Sequence, residues 1–215
     1  MTDARAERTF VSTRGAETRG PLDAFDHLEV RGDDVVYISG YSLADEASRV
    51  ALERLVGRLA QDRVGCRALF DVSPMVGSVP LPALERIGEL EPIWSLNERE
   101  SGLLAARLGS AVEAGDHAST CEALSGPLGT VLVRAGERGS WFADGGSATR
   151  TPSIPVTPVD TNGAGDAHSG VLAAALARGM DLATALRWAN IAGALTTTHF
   201  GPATCPSEAE IRALA

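Results

Sequence analysis

A chain of 215 residues is long enough for one domain that withdraws roughly 70% of its unfolded surface from water. Its formal charge of −9 excludes the broadly basic surface that nucleic-acid phosphates demand, so no nucleic-acid partner is expected. All 19 basic residues are arginine, which excludes a P-loop lysine, a Schiff-base lysine and pyridoxal phosphate chemistry, and leaves arginine, backbone N–H groups or a metal to bind phosphate.

Residues 1–30 differ in character from the rest: Arg8–Thr13 reads as an isolated strand and Gly15–Leu22 as loop. From there short apolar runs alternate with segments of helical period, the pattern of an α/β fold with a mainly parallel sheet flanked by helices. Val35–Ser39 reads as a strand, Ser42 as the cap of a helix with Leu52, Leu55, Val56 and Leu59 on its face, and Ala68–Asp71 as the next strand. Pro80–Leu90 is expected to be a short helix, Pro92–Leu96 a strand, Glu98–Leu108 a helix and Thr130–Arg134 a strand. Around Ser140–Arg150 the period changes to a hairpin turning at Asp144-Gly145-Gly146.

Two helices follow. One runs from about Ala164 to Arg178 with Val171, Leu172, Ala175 and Leu176 on one face, and Gly179 ends it. The other is capped by Asp181, turns Leu182, Ala185, Leu186 and Ala189 inward and continues towards Thr198 before the loop His199-Phe200-Gly201-Pro202. Trp94, Trp141 and Trp188 read as core, His27 and His117 as surface. Cys66, Cys121 and Cys205 suit neither a disulfide framework nor a metal knuckle. Met1–Glu7 has no apolar h-region and no stretch approaches a membrane span, so a cytoplasmic protein without a membrane partner is expected.

The chemistry concentrates in Asp160-Thr161-Asn162-Gly163-Ala164-Gly165-Asp166, between a Pro-rich extended stretch and a strongly periodic helix. Glycines there let the N–H groups of Gly163, Ala164 and Gly165 point together at a helix start, where unsatisfied donors and the helix dipole favour an anion. Asp166 sits on the first turn beside that site. A carboxylate next to a phosphate pocket suits a proton acceptor or a metal holder, which favours phosphoryl transfer; the helix dipole alone also favours an Asp there. A dinucleotide fingerprint fails because His168 occupies the third glycine position. His168 itself is compatible with substrate contact or with a packed or capping role, and Asp71, at a strand end, is a weak site candidate.

This segment resembles the signature of the ribokinase-like carbohydrate kinases, the PfkB family. Asn97-Glu98-Arg99-Glu100 looks like the family's N-x-x-E motif, Arg134-Ala135-Gly136-Glu137-Arg138-Gly139 like its nucleotide-binding turn, and Ala189-Asn190 through Gly201-Pro202 like its adenine-side helix and loop. Glu7–Phe10 and Arg14-Gly15-Ala16 resemble its lid strands, and Ile38-Ser39-Gly40-Tyr41 the strand end that faces the sugar.

The resemblance implies a ribokinase-like, three-layer fold with a partial lid over residues 1–30 and a nucleotide-binding and catalytic domain over 31–215. It implies an ATP-dependent phosphotransferase acting on a hydroxyl of a sugar or related small molecule, with a nucleoside kinase of the same family or a catalytically incomplete nucleotide-binding fragment as alternatives. Asp166 would be the general base, with Gly163, Ala164 and Gly165 as anion hole. Asn97 and Glu100 would place the triphosphate and Mg²⁺, Glu100 through water; the pair is equally a capping box. Gly136 and Gly139 would let the backbone approach the nucleotide, and Arg134, where the family often has threonine, would reach a phosphate; a plain strand-to-hairpin turn is the alternative. Asn190 would lie by adenine or ribose, or be a satisfied core amide. Gly40, Tyr41 and Arg14 would face substrate, and Asp160, Asn162, Thr196, His199 and Gly201 stand where some members bind a monovalent cation such as K⁺. A homodimer through lid strands is also implied. Family members are usually longer at the N-terminus, and an N-terminally truncated chain lacking part of the substrate half is the corresponding expectation.

Overall fold

The computed structural model describes Thr13 and residues 15–215; the expected strand at Arg8–Thr13, the lid segment Glu7–Phe10 and Arg14 lie outside the described residues, Thr13 excepted. Among the described residues the sheet has six strands in chain order: β1 (Val35–Ser39), β2 (Arg67–Asp71), β3 (Ile93–Asn97), β4 (Thr130–Arg134), β5 (Ser140–Asp144) and β6 (Thr149–Thr151). Strands β1 to β4 are parallel, with Ser39 opposite Asp71, Asp71 opposite Ser95, and Asn97 opposite Arg134. Their carboxyl ends therefore align. The β4–β5 connection is a short turn in which Ala135 N donates to Gly139 O at 2.8 Å, too short for a parallel crossover, so β5 runs antiparallel to β4.

The helices are α1 (Glu46–Gln61), α2 (Leu81–Gly88), α3 (Glu98–Arg107), α4 (His117–Leu128), α5 (Ala164–Ala177), α6 (Leu182–Thr196) and α7 (Glu208–Arg212). The chain divides into two compact units, one comprising Thr13–Arg134 and Trp141–Thr149, the other Ala135–Ser140 and Arg150–Ala215.

In the first unit the core is built from the parallel strands, Val72 just past β2 and the helix stripes: Phe70, Val72, Trp94, Leu96, Val131 and Val133 meet Leu52, Val56, Leu84, Ile87, Leu104 and Leu124. Phe70 and Trp94 pack edge to face with ring centroids 5.1 Å apart. In the second unit α5 and α6 pack along each other, and Trp188, Ile191, Ala192 and Ile211 form the core with Ile154, Val171, Met180 and Leu195. Asp181 caps α6 as expected, its Oδ1 accepting from Thr184 N at 3.0 Å.

Three local expectations change. Ser42 does not cap α1: the 3-10 turn Gly40–Leu43 comes first, anchored by fully buried Leu43, and α1 starts only after Asp45. The stretch read as loop at Gly15–Leu22 contains a 3-10 turn, Ala16–Arg19, with Thr18 Oγ1 donating to Gly15 O. His117 is buried rather than at the surface, because it opens α4, a helix the sequence reading did not identify. Its ring packs on Trp141 at 4.8 Å and Nε2 lies 3.2 Å from Glu98 Oε1.

Candidate active site

In the unit that carries α5, Gly163 is the N-cap of that helix with φ of 80°. Two constraints require glycine there: the left-handed backbone, and the Pro202 carbonyl oxygen, which a Cβ would meet at 2.2 Å. The first bond of the helical ladder is Ala167 N to Gly163 O at 2.8 Å, so the N–H groups of Gly163, Ala164 and Gly165 precede the ladder at the positive end of the helix dipole, Ala164 N making a long 3.4 Å bond to Thr161 O. Asp166 is exposed on this first turn, and among the described residues its carboxylate has no hydrogen-bond or ion-pair partner. A solvated carboxylate beside a row of backbone donors can accept a proton from a hydroxyl placed between them.

Asp160 is buried and organises the loop. Its Oδ1 accepts from Asn162 N and its Oδ2 from Gly201 N, both at 3.0 Å, while Val159 N and Asp160 N both donate to Thr197 O. The carbonyls of Thr196 and Gly201 each lie 3.2 Å from Thr204 Oγ1, and exposed His199 pairs its Nδ1 with Thr198 Oγ1 at 3.0 Å. The Asp160 carboxylate and the Thr196 and Gly201 carbonyls are hard oxygen donors of the type that could serve a hard cation.

Asn190 is buried, and its amide is engaged internally on both sides. Its Nδ2 lies 2.9 Å from Thr151 O, 3.1 Å from Ser140 Oγ and 3.4 Å from Pro152 O, while Oδ1 is 3.2 Å from His168 Nε2. The carbonyl neighbours fix which end is the NH₂, so Oδ1 faces the ring and accepts from His168 Nε2. His168 is thus a packed histidine, 5% exposed. Gly139 approaches the Thr151 carbonyl so closely that a Cβ would stand 2.2 Å from its oxygen, at a φ of 86°. Gly136 opens the same turn.

In the other unit the carboxyl ends of β2, β3 and β4 hold a charged cluster. Arg134 is bidentate on Asp71, with Nη1 to Oδ2 and Nη2 to Oδ1 both 3.1 Å, and Nη2 is 3.5 Å from Glu100 Oε2. Asn97 caps α3 in a complete capping box: its Oδ1 accepts from Glu100 N, Glu100 Oε2 accepts from Asn97 N, and Glu100 Oε1 accepts from Asn97 Nδ2, at 2.8–2.9 Å. Burial pushes the Glu100 carboxyl above the ordinary glutamate range, against the opposing effects of the Asn97 N–H and the Arg134 charge.

With both oxygens already accepting protein donors, Glu100 suits an outer-shell hold on a metal-bound water better than direct ligation. Among the described residues no group of three or more His, Cys, Asp or Glu is arranged to hold a metal ion. At the end of β1, Gly40 is buried against the Val72 carbonyl while Tyr41 is 58% exposed.

Asp71, a weak candidate by sequence, is drawn by the structure into the charged cluster with Arg134 and Glu100. Its signal was its place at a strand end, and its partner lies 63 positions away.

Residues 1–209 match the pfkB family carbohydrate kinase profile, and the chain belongs to that family. It is 29% identical over 212 residues to the uncharacterized sugar kinase YegV of Escherichia coli (strain K12), which covers 98% of this chain and 64% of the relative. Among solved structures, fructokinase from Vibrio cholerae O395 with fructose, ADP and calcium superposes at a TM-score of 0.71 with 24% identity, over 86% of this chain and 61% of that one. A double mutant of that fructokinase, with fructose, ADP and potassium, gives the same score at 23% identity, over 86% and 61% of the two chains. A ribokinase II from E. coli in complex with ATP and Mg²⁺ gives 0.66 with 24% identity, over 83% and 57%. These likenesses show a ribokinase-like α/β fold with a mixed sheet flanked by helices. The chain spans less than two thirds of the length of these relatives. Among the described residues no helix is long and apolar enough to cross a membrane.

Proposed function

We propose that this chain carries out ATP-dependent phosphoryl transfer to a hydroxyl of a sugar or related small molecule. The observation that carries the reading is the Gly163 cap, held against Pro202, with exposed Asp166 in the first turn of α5. The N–H groups of Gly163, Ala164 and Gly165 bind the transferring phosphoryl group, and Asp166 Oδ accepts the proton of the attacking hydroxyl.

Magnesium supplies charge neutralisation of the phosphates when bound. Asn97 and Glu100 would hold it through water, with Arg134 keeping Glu100 in place. The turn from Gly136 to Gly139 lies along the nucleotide, and Asn190 supports it from behind by tying Ser140 and Thr151 to α6. The oxygen set around Asp160, Asn162, Thr196, His199 and Gly201 would hold a monovalent cation, in keeping with the potassium of the related fructokinase double mutant. Gly40 and Tyr41 face the small-molecule substrate, with Arg14 and a lid-strand homodimer as further parts of the same reading, and the location is cytoplasmic.

The test is ADP release from ATP and Mg²⁺ against a panel of sugars, sugar phosphates and nucleosides. One acceptor class is expected to stimulate release, and Asp166→Asn to lower it by about 10²–10⁴-fold while ATP still binds. An Asp166→Asn protein with unchanged turnover removes Asp166 from the base role.

A further inference from the structure

Arg134 stands between two carboxylates. The β3–β4 register sets Asn97 opposite Arg134, α3 starts at the next residue, and Glu100 on its first turn is thereby brought to the arginine; the register of β2 with β3 brings Asp71 to the same end. The Arg134 and Asp71 side chains are each 12% exposed and that of Glu100 3%, so the three charges interact with little screening by water. Among the described residues the cluster sets two carboxyl groups against one guanidinium.

Removing the guanidinium would take one positive charge from between two nearly buried carboxyl groups, which favours the uptake of a proton or a divalent cation there. Arginine meets the need with a planar, permanently charged fork that fits Asp71 with both terminal nitrogens. A divalent ion placed against both carboxylates would stand beside that fixed positive charge and would also have to shed waters.

We propose that Arg134 is a positioning residue that fills, with a charge of the chain itself, the place a divalent cation would take between Asp71 and Glu100, so that magnesium arrives as the nucleotide complex rather than as the bare ion. The proposal rests on the kinase reading only for the source of the metal. The replacement of a metal by an internal cation stands on this cluster alone.

The experiment is a titration of Mn²⁺ without nucleotide, followed by the electron paramagnetic resonance of the free ion, on the wild type, Glu100→Gln, Arg134→Thr and Arg134→Lys. Wild type and Glu100→Gln are expected to bind Mn²⁺ equally weakly. Arg134→Thr is expected to gain a site at least about tenfold tighter, which the added Glu100→Gln change removes, because one unit of opposing charge is gone. Arg134→Lys, which keeps the charge, is expected to gain none.

A wild-type site that Glu100→Gln abolishes, or a folded Arg134→Thr protein with no gain, overturns the proposal. Should Arg134→Thr not fold, the wild type and Glu100→Gln comparison decides: equal binding supports it and loss in Glu100→Gln refutes it. No turnover is measured, so a failure of the Asp166 assay and a failure here are separate results.

Discussion

Gly163 and Pro202 touch backbone to backbone: a Cβ on the glycine would lie 2.2 Å from the proline carbonyl oxygen and 2.9 Å from its carbon. Gly163→Ala must therefore move the 199–202 loop as well as tolerate a left-handed backbone. We expect a loss of about 1–3 kcal/mol in urea unfolding, since a non-glycine residue in this region is strained before any clash is counted. Phosphate-analogue binding should fall with it; an alanine variant of wild-type stability would contradict the close approach.

The capping box of α3 gives a second test. Asn97→Ala removes the acceptor of Glu100 N and the Nδ2 donor to Glu100 Oε1, leaving the Asn97 backbone N–H and the Arg134 guanidinium against that carboxylate. Loss of the cap alone costs about 1–2 kcal/mol. Circular dichroism melts of Asn97→Ala and Asn97→Asp should separate the effects, because Asp keeps the cap acceptor and sets a second negative charge beside Glu100.

Glu100 also makes stability depend on pH in a direction opposite to that of most paired acids. Burial raises its pKa in the folded chain, so the folded state holds the proton more firmly than the unfolded one. Its contribution is fully present below the unfolded-state pKa and is lost as pH rises through the raised folded value. Urea midpoints from acid to neutral pH should show this component declining in the wild type and absent in Glu100→Gln; identical pH profiles would place the titration elsewhere.

Thiol labelling separates the three cysteines. Burial pushes the Cys121 thiol up to about 12, and its Sγ lies 3.3 Å from Val131 O and 3.4 Å from Trp141 O. Cys205 is exposed and Cys66 partly so. Iodoacetamide followed by mass spectrometry is expected to modify Cys205 first and Cys121 only after unfolding, because thiolate fraction and access both govern the rate.

The parallel strands were legible because each is a short, mostly apolar run between turn residues; the bounds of β1 and β4 coincide with those expected from the sequence, since Val35–Ser39 and Thr130–Arg134 carry the signal within five residues. Likewise α5 and α6 announce themselves through small apolar stripes ended by Gly179 and capped by Asp181.

Helix α4 hid because its buried stripe is His117, Thr120, Cys121, Leu124 and Ser125: the spacing is helical but the residue types are mostly polar, and Pro127 sits in its last turn. The N-x-x-E geometry was local and readable as a capping box. The grip of Arg134 on Asp71 was not, since only strand register joins residues that far apart in the chain. In the same way, the internal use of the Asn190 amide depends on Thr151 and Ser140, which no spacing rule connects to it.

Asp160 fastens the entrance of one helix to the exit of the next. Its carboxylate holds Asn162 N ahead of α5 and Gly201 N after α6, while its own N–H bonds Thr197 O. With the short Arg178–Asp181 link at the opposite end, the helical hairpin is closed into a loop of chain tied at both extremities. A ligand that pulls on the 199–202 segment thus works a lever whose other arm is the Gly163 turn, and amide exchange at Gly201 and Asn162 should quicken or slow together.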